Sequence, residues 1–337
     1  MSAARFMKTA ALVAALAWMA GAGTAGAEPI EIKISHFVPP NHTIHKWLTA
    51  WSDKLTQQSG GRLKFTIYPN GQLVGPPNRQ FDAARNAITD MAFCLHGVTP
   101  GRYSETELAN LPFTWPNAGS SPAITSPRLS ELAANYLAKE HAGLHILYMA
   151  VANPVVFYSK VPIRGIDDFK GLKIRYAGVQ NKYLLDALGA TPLLVPPPES
   201  QDALAKGIVD VAMFPHEAAL SYDLGTVAKY AIEPGVATAT FAFVMNPAKY
   251  DSLPADLKAL IDKSTGTQAA ADFGKAWEAA EKEGRDKETA QGVQILTLPP
   301  DDIEKMRKLM APHVERAIAE VDKEGKQGRK FYEEYTN

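Results

Sequence analysis

A single cysteine, Cys94, stands among the 337 residues. One thiol cannot form an intramolecular disulfide, and its isolation excludes the Cys-rich zinc motifs. Inside the apolar run Met91-Ala-Phe-Cys-Leu it reads as a small buried hydrophobe and not as a reactive thiol. A dominant charge is lacking as well: 35 Lys and Arg face 36 Asp and Glu, a balance that offers nothing to nucleic acid or to an anionic surface. Beyond the first 20 residues no stretch approaches the roughly 20 apolar residues that span a bilayer. The chain contains no Gly-x-Ser-x-Gly elbow, no phosphate-binding loop and no His-Glu-x-x-His pair. Its paired carboxylates fall on helices that read as solvated. These absences leave an enzyme as the alternative reading only, and an adhesin is disfavoured because short repeated β modules are missing.

What is present begins with an export signal. Arg5 and Lys8 precede the apolar run Thr9 to Ala20, and Ala25-Gly26-Ala27 follows, so residues 1–27 are expected to direct the chain to the periplasm and to be removed after Ala27. The remaining 310 residues carry 33 basic and 36 acidic side chains, a net charge of about −3. That length exceeds the roughly 250 to 300 residues at which one hydrophobic core stops growing, so two lobes are expected.

Periodicity shows how the lobes are built. Ile30, Ile32 and Ile34 alternate with polar residues, and Ile44, Leu48, Trp51 and Leu55 then fall at helical spacing. Leu63, Phe65 and Ile67 alternate between Gly60-Gly61 and Pro69-Asn70-Gly71, as a strand between turns does. A helix containing Phe81, Ala84 and Ile88 leads to the strand 91–95. The order is β-α-β-α-β. It recurs as strand 171–176, helix 180–188, strand 191–195, helix 199–206 and strand 208–214. The segment DAARNAITDMAFCLH (82–96) aligns without gaps to DALAKGIVDVAMFPH (202–216), which we read as a structural repeat. Two β-rich stretches, 144–160 and 235–246, carry the chain from one lobe to the other and back. The expected fold is a two-lobed α/β periplasmic-binding-protein architecture of type II-like form. Lobe I takes 28–152 with about 241–280 returning to it, and lobe II takes 153–240 with about 281–337 packed on it.

In open parallel sheets ligands bind beyond the carboxyl ends of the strands. Those ends are His36-Phe37, Tyr68-Pro69 and His96-Gly97 in the first lobe, and Arg175-Tyr176, Val195-Pro196 and Phe214-Pro215-His216 in the second. Arg175 closes the strand of DDFKGLKIRYAG. Its planar fork suits a carboxylate, with a solvated arginine paired to Asp167 or Asp168 as the alternative. His36, His96 and His216 are candidate hydrogen-bonding partners of a ligand or packed strand-end histidines, and Asn153, at the start of the hinge strand, is a further polar candidate. Trp115, between Pro112 and Pro116, offers an apolar wall or plain core. His36, His42 and His45 invite a metal, but no acidic residue lies between them and no cysteine is available, so neither metal nor cofactor is expected.

Several segments resemble one family along nearly the whole chain. SHFVPPNH, SGGRLKFTIYPNGQL, LPFTWP, DDFKGLKIR and LGATPLLVPPPESQDALAKGIVDVAMFP are similar, in order, to motifs of the solute-binding proteins of tripartite ATP-independent periplasmic (TRAP) transporters, the DctP type. The resemblance implies two lobes that close on a ligand, and a membrane permease of one small and one large subunit, driven by an ion gradient, as partner. It also implies that Arg175, which ends the KGLKIR motif, holds the ligand carboxylate. Two positions depart from the pattern. Val155 stands where some members carry a second arginine, and Phe214 stands where asparagine is frequent. Together with Phe37 and Trp115 these departures favour a monocarboxylate with an apolar or aromatic body; the protein is expected to be a monomer.

Overall fold

The structure is a computed structural model that describes residues 28–115 and 121–337; the expected export signal at 1–27 lies outside them. The described residues form eleven strands: β1 Ile30–Ser35, β2 Leu63–Tyr68, β3 Met91–Leu95, β4 His145–Val151, β5 Val155–Ser159, β6 Lys173–Tyr176, β7 Thr191–Leu194, β8 Val211–Phe214, β9 Tyr230–Ala237, β10 Thr240–Met245 and β11 Gln294–Thr297. They build two sheets, one ordered β2-β1-β3-β10-β4 and the other β7-β6-β8-β5-β9-β11. In the first, β1 lies parallel to β2 and β3; in the second, β6 lies parallel to β7 and β8. The two repeat units thus have the same strand order. Each sheet is then extended by an antiparallel strand next to the hinge, β10 against β3 and β5 against β8.

The residues shared between the repeats hold the same backbone in each lobe. Asp90 accepts the Lys33 N–H at 2.8 Å and returns its own N–H to the Lys33 carbonyl. Asp210 does the same with Lys173, at 2.9 Å. A carboxylate that accepts an N–H of the neighbouring strand fixes the parallel register, since a slip of one residue would turn every side chain to the other face. Lys33 and Lys173 therefore occupy matching places, and so do Ser35 and Arg175 two residues further on. Only the second lobe carries a charge there.

The apolar stripe of the helix Thr43–Gln58 buries Ile44, Leu48, Trp51 and Leu55 against the first sheet. Between the lobes the chain crosses at Ala152–Pro154 and at Thr238–Ala239. The crossings are tied by the Ala152 N–H donating to Ala239 O at 2.9 Å and by the Thr238 hydroxyl donating to Ala152 O at 2.6 Å. The long helix Gly266–Ala290 spans both lobes. A Cβ at Gly274 would meet Pro122 O at 2.2 Å and one at Gly284 would meet Glu217 N at 2.8 Å, so both lobes approach the helix to backbone contact.

The C-terminal stretch divides between the lobes, which corrects the assignment of 281–337 to lobe II. Met306 and Met310 of the helix Pro300–Lys323 pack in the second lobe's core. Ala317, Ile318 and Val321 of the same helix, with Phe331 and Tyr335, bury in the first. One continuous helix therefore has an apolar stripe long enough to cover both lobes.

Candidate functional site

A cavity lies between the lobes at the carboxyl ends of the central strands; the empty space in and around it, open solvent included, is about 540 Å³. The first lobe contributes Phe37 and Val38 from the loop after β1, and Leu95 from the end of β3; the second contributes Arg175, Met213 and Phe214. Trp277 reaches in from the long helix. Most of the lining is apolar, and Arg175 is its one lysine or arginine among the described residues.

Arg175 is 3% exposed. Its Nε donates to Val195 O at 2.9 Å and its Nη1 to Met213 O at 2.7 Å, both carbonyls of neighbouring strand ends. The guanidinium lies over the Phe214 ring, 4.0 Å from its centroid, a stacked cation–π arrangement. The phenylalanine that replaces the frequent asparagine thus forms a seat for the arginine as well as a wall of the cavity. Nη2 is buried and has no partner among the described residues. Burial pulls the guanidinium from its ordinary 12.5 to about 9, so it stays charged at neutral pH while lacking a counter-ion. A buried cation with an unspent donor, facing a cavity, is set to receive an anion.

Of the eight side chains singled out in the sequence, the structure places Arg175, Phe37 and Phe214 on this cavity; the other five lie elsewhere. His36 is fully buried and its Nε2 faces His45 Nδ1 at 3.0 Å. His96 is held by Thr240 O at 2.9 Å and by His141 Nε2 at 3.0 Å, among Phe81 and Tyr103. Asn153 donates to Trp277 O at 3.1 Å and so anchors the hinge to the long helix. Trp115 packs against Tyr335 at 5.2 Å and borders a separate cavity lined by the hinge residue Pro154 and by Arg307. Val155, at the place of the family's second arginine, does line the central cavity. Sequence reading missed Asn181, Tyr222, Phe241 and Trp277, which also line it. His42, considered only as a metal ligand, borders it too, with its Nδ1 accepting the Ile44 N–H at the start of a helix.

His216 sits in a buried ionic cluster instead. Its Nε2 meets Glu233 at 3.0 Å, and its Nδ1 meets Tyr158 Oη at 2.6 Å and Glu288 at 3.3 Å. Burial alone would pull the imidazole down, but its hydrogen bonds to Glu233 and Glu288 raise it to about 9. The bond from His216 in turn holds Glu233 down at about 2. Burial lifts neighbouring Glu281, which accepts the His216 and Glu217 N–H groups, to about 7. The signs follow by linkage. Protonated His216 stabilises the fold fully below pH 6.5, and that contribution is lost as pH rises through 9. Glu281 adds a loss between pH 4.5 and 7, and the Glu233 contribution fades only as pH falls towards 2. Seven other histidines, among them His36 and His313, are pulled down by burial and add stability as pH rises towards 6.5, so the decline in melting temperature is expected above that point, between about pH 6.5 and pH 9. Thermal melts of wild type and His216→Gln check it: the variant should lose the alkaline part of the slope, and parallel curves would refute the assignment.

Contacts on both sides of the cavity hold the lobes together. The Gly178 N–H donates to Gly97 O at 2.9 Å, and Glu107 accepts the Val179 N–H at 3.2 Å, at the start of the helix Val179–Ala187. Opposite, the Thr43 hydroxyl donates to Glu217 at 2.9 Å and Trp277 Nε1 donates to the same carboxylate.

Two α/β lobes meeting at a cavity that carries a buried arginine with an unspent donor define a two-lobed solute-binding protein. The family model described as bacterial extracellular solute-binding protein, family 7 (DctP) matches residues 34–320. The chain belongs to that family. A TRAP solute-binding protein from Rhodoferax ferrireducens, solved with copurified benzoate, is 30% identical over 91% of this chain and 96% of its own, with a TM-score of 0.86. A marine metagenome TRAP solute-binding protein specific for aromatic acid ligands, solved with 3-hydroxybenzoate, is 28% identical over 92% of this chain and 98% of its own, with a TM-score of 0.87. The C4-dicarboxylate-binding periplasmic protein DctP of Rhodobacter capsulatus is 26% identical over 71% of each chain. The family is one of solute-binding proteins, and no catalytic role is assigned to this cavity.

Proposed function

We propose that the protein captures an aromatic monocarboxylate in the periplasm, after removal of residues 1–27, and delivers it as a monomer to a TRAP permease of one small and one large subunit. The observation that carries this reading is the unspent Nη2 of Arg175, the one lysine or arginine among the described residues of a mostly apolar cavity. The carboxylate neutralises Arg175, and Phe37, Phe241 and Trp277 enclose the ring. Burying about 150 Å² of ring surface contributes about 4 kcal/mol. A second carboxylate would lose its water beside Val155 and gain no cation, which sets a dicarboxylate at a disadvantage. The aromatic ligands of the two similar TRAP proteins support the same choice, while the dicarboxylate binder from Rhodobacter capsulatus represents the competing one.

Calorimetric titration of the chain from Glu28 onward tests the reading with benzoate, 3-hydroxybenzoate, phenylacetate, succinate and galacturonate. The aromatic monocarboxylates should bind at least tenfold more tightly than the other two. Preference for succinate or galacturonate would refute it.

A further inference from the structure

We infer that Tyr222 is the second anchor of the ligand carboxylate, a neutral donor that works with Arg175 in place of a second cation; the inference rests on the carboxylate reading of the cavity. Tyr222 follows the helix His216–Ser221 and lines the cavity from the second lobe. Its ring stands 5.8 Å from Phe214 and 6.1 Å from His42, centroid to centroid. Phe214 is the ring that carries the Arg175 guanidinium. The phenol and the guanidinium are thus brought to one aromatic cluster, near enough for each to bias the other's ionisation.

The hydroxyl of Tyr222 is buried and has no partner among the described residues, as is true of Arg175 Nη2. A buried hydroxyl without a partner forfeits a hydrogen bond that water would supply; three unpartnered buried polar atoms belong to residues of this cavity, and beside the acceptor Asn181 Oδ1 the other two are these donors, which describe what the ligand must bring. Each offers a donor, which calls for paired acceptors. The nearby carboxylate of Glu217 is already engaged by Thr43 and Trp277. Burial holds the phenol above its ordinary range, so it remains a neutral donor throughout the working pH. A carboxylate presents two oxygens, one for Nη2 and one for the phenol. One cation then meets one anion and the closed site is neutral, which a second arginine at position 155 would not allow.

Titration of Tyr222→Phe with benzoate, 3-hydroxybenzoate and phenylacetate tests the inference, because these share only the carboxylate and the ring. All three affinities should fall by a common factor of about tenfold to a hundredfold, with the unliganded melting temperature unchanged because the ring is kept. The tyrosine difference absorption that phenylacetate induces in the wild type should vanish in the variant. Unchanged affinities, or a loss confined to 3-hydroxybenzoate, would overturn the role of Tyr222 and leave the cavity's function standing. A wild-type protein that bound none of the three would instead overturn the reading of the cavity, and this inference with it.

Discussion

Arg175→Ala should lower the affinity for an aromatic carboxylate by roughly a hundredfold to a few thousandfold. The substitution leaves the ligand's carboxylate in an apolar cavity with no cation, and breaking a buried ion pair by removing one partner costs about 3 to 5 kcal/mol. Arg175→Lys should recover only part of this. Arg175 bonds Val195 O and Met213 O and still keeps Nη2 free; a single ammonium cannot reach both carbonyls and a ligand at once, and it loses the flat seat on Phe214. Calorimetry on folded protein measures the loss, and circular dichroism shows that the sheet is intact. Wild-type affinity in Arg175→Ala would remove the arginine from the site.

Arg175 was legible because its charge ends a strand whose partners are aliphatic, and because the KGLKIR motif resembles a family in which that arginine has a role. The repeat was legible for a related reason: Asp90 and Asp210 fix the register of their sheets, so the two segments keep the same residues in the same places. The histidines were not legible as they stand. A strand-end position is compatible with facing the cleft or the core, and what turns His36 and His96 inward are His45 and His141, nine and 45 positions further on. Trp115 turned to Tyr335, at the other end of the chain, for the same reason. Tyr222 and Trp277 carried no signal, since each enters the cavity from a helix or its end and looks in sequence like any residue of a helix–sheet core. Cavity walls and core are made of the same residue types. The feature that separates them, an unpaired polar atom, belongs to the folded chain.

Gly97→Val should weaken ligand binding while leaving the unliganded protein stable, an outcome that separates closure from folding. Gly97 follows β3 in the first lobe and touches the second: a Cβ there would meet Gly178 N at 2.5 Å and Gly178 Cα at 2.8 Å. Both are backbone atoms, so no side chain can rotate away, and ordinary contact near 3.5 to 4.0 Å requires the lobes to separate by about 1 Å at this point. That movement breaks the bond from Gly178 N–H to Gly97 O and pulls the start of the helix Val179–Ala187 from Glu107. With the lobes apart, the added side chain meets water and neither core is disturbed. Overpacking of this kind costs about 1 to 3 kcal/mol in the closed form alone, or fivefold to about 150-fold in affinity, with valine at the upper end and Gly97→Ala below it. Scattering from the liganded proteins reads the geometry directly: the variant should keep a larger radius of gyration than wild type at saturating benzoate. A Gly97→Val protein that binds and compacts like wild type would show that the Gly97–Gly178 contact is incidental to closure. A variant that melts well below wild type without ligand would show that the contact belongs to the fold and not to its movement.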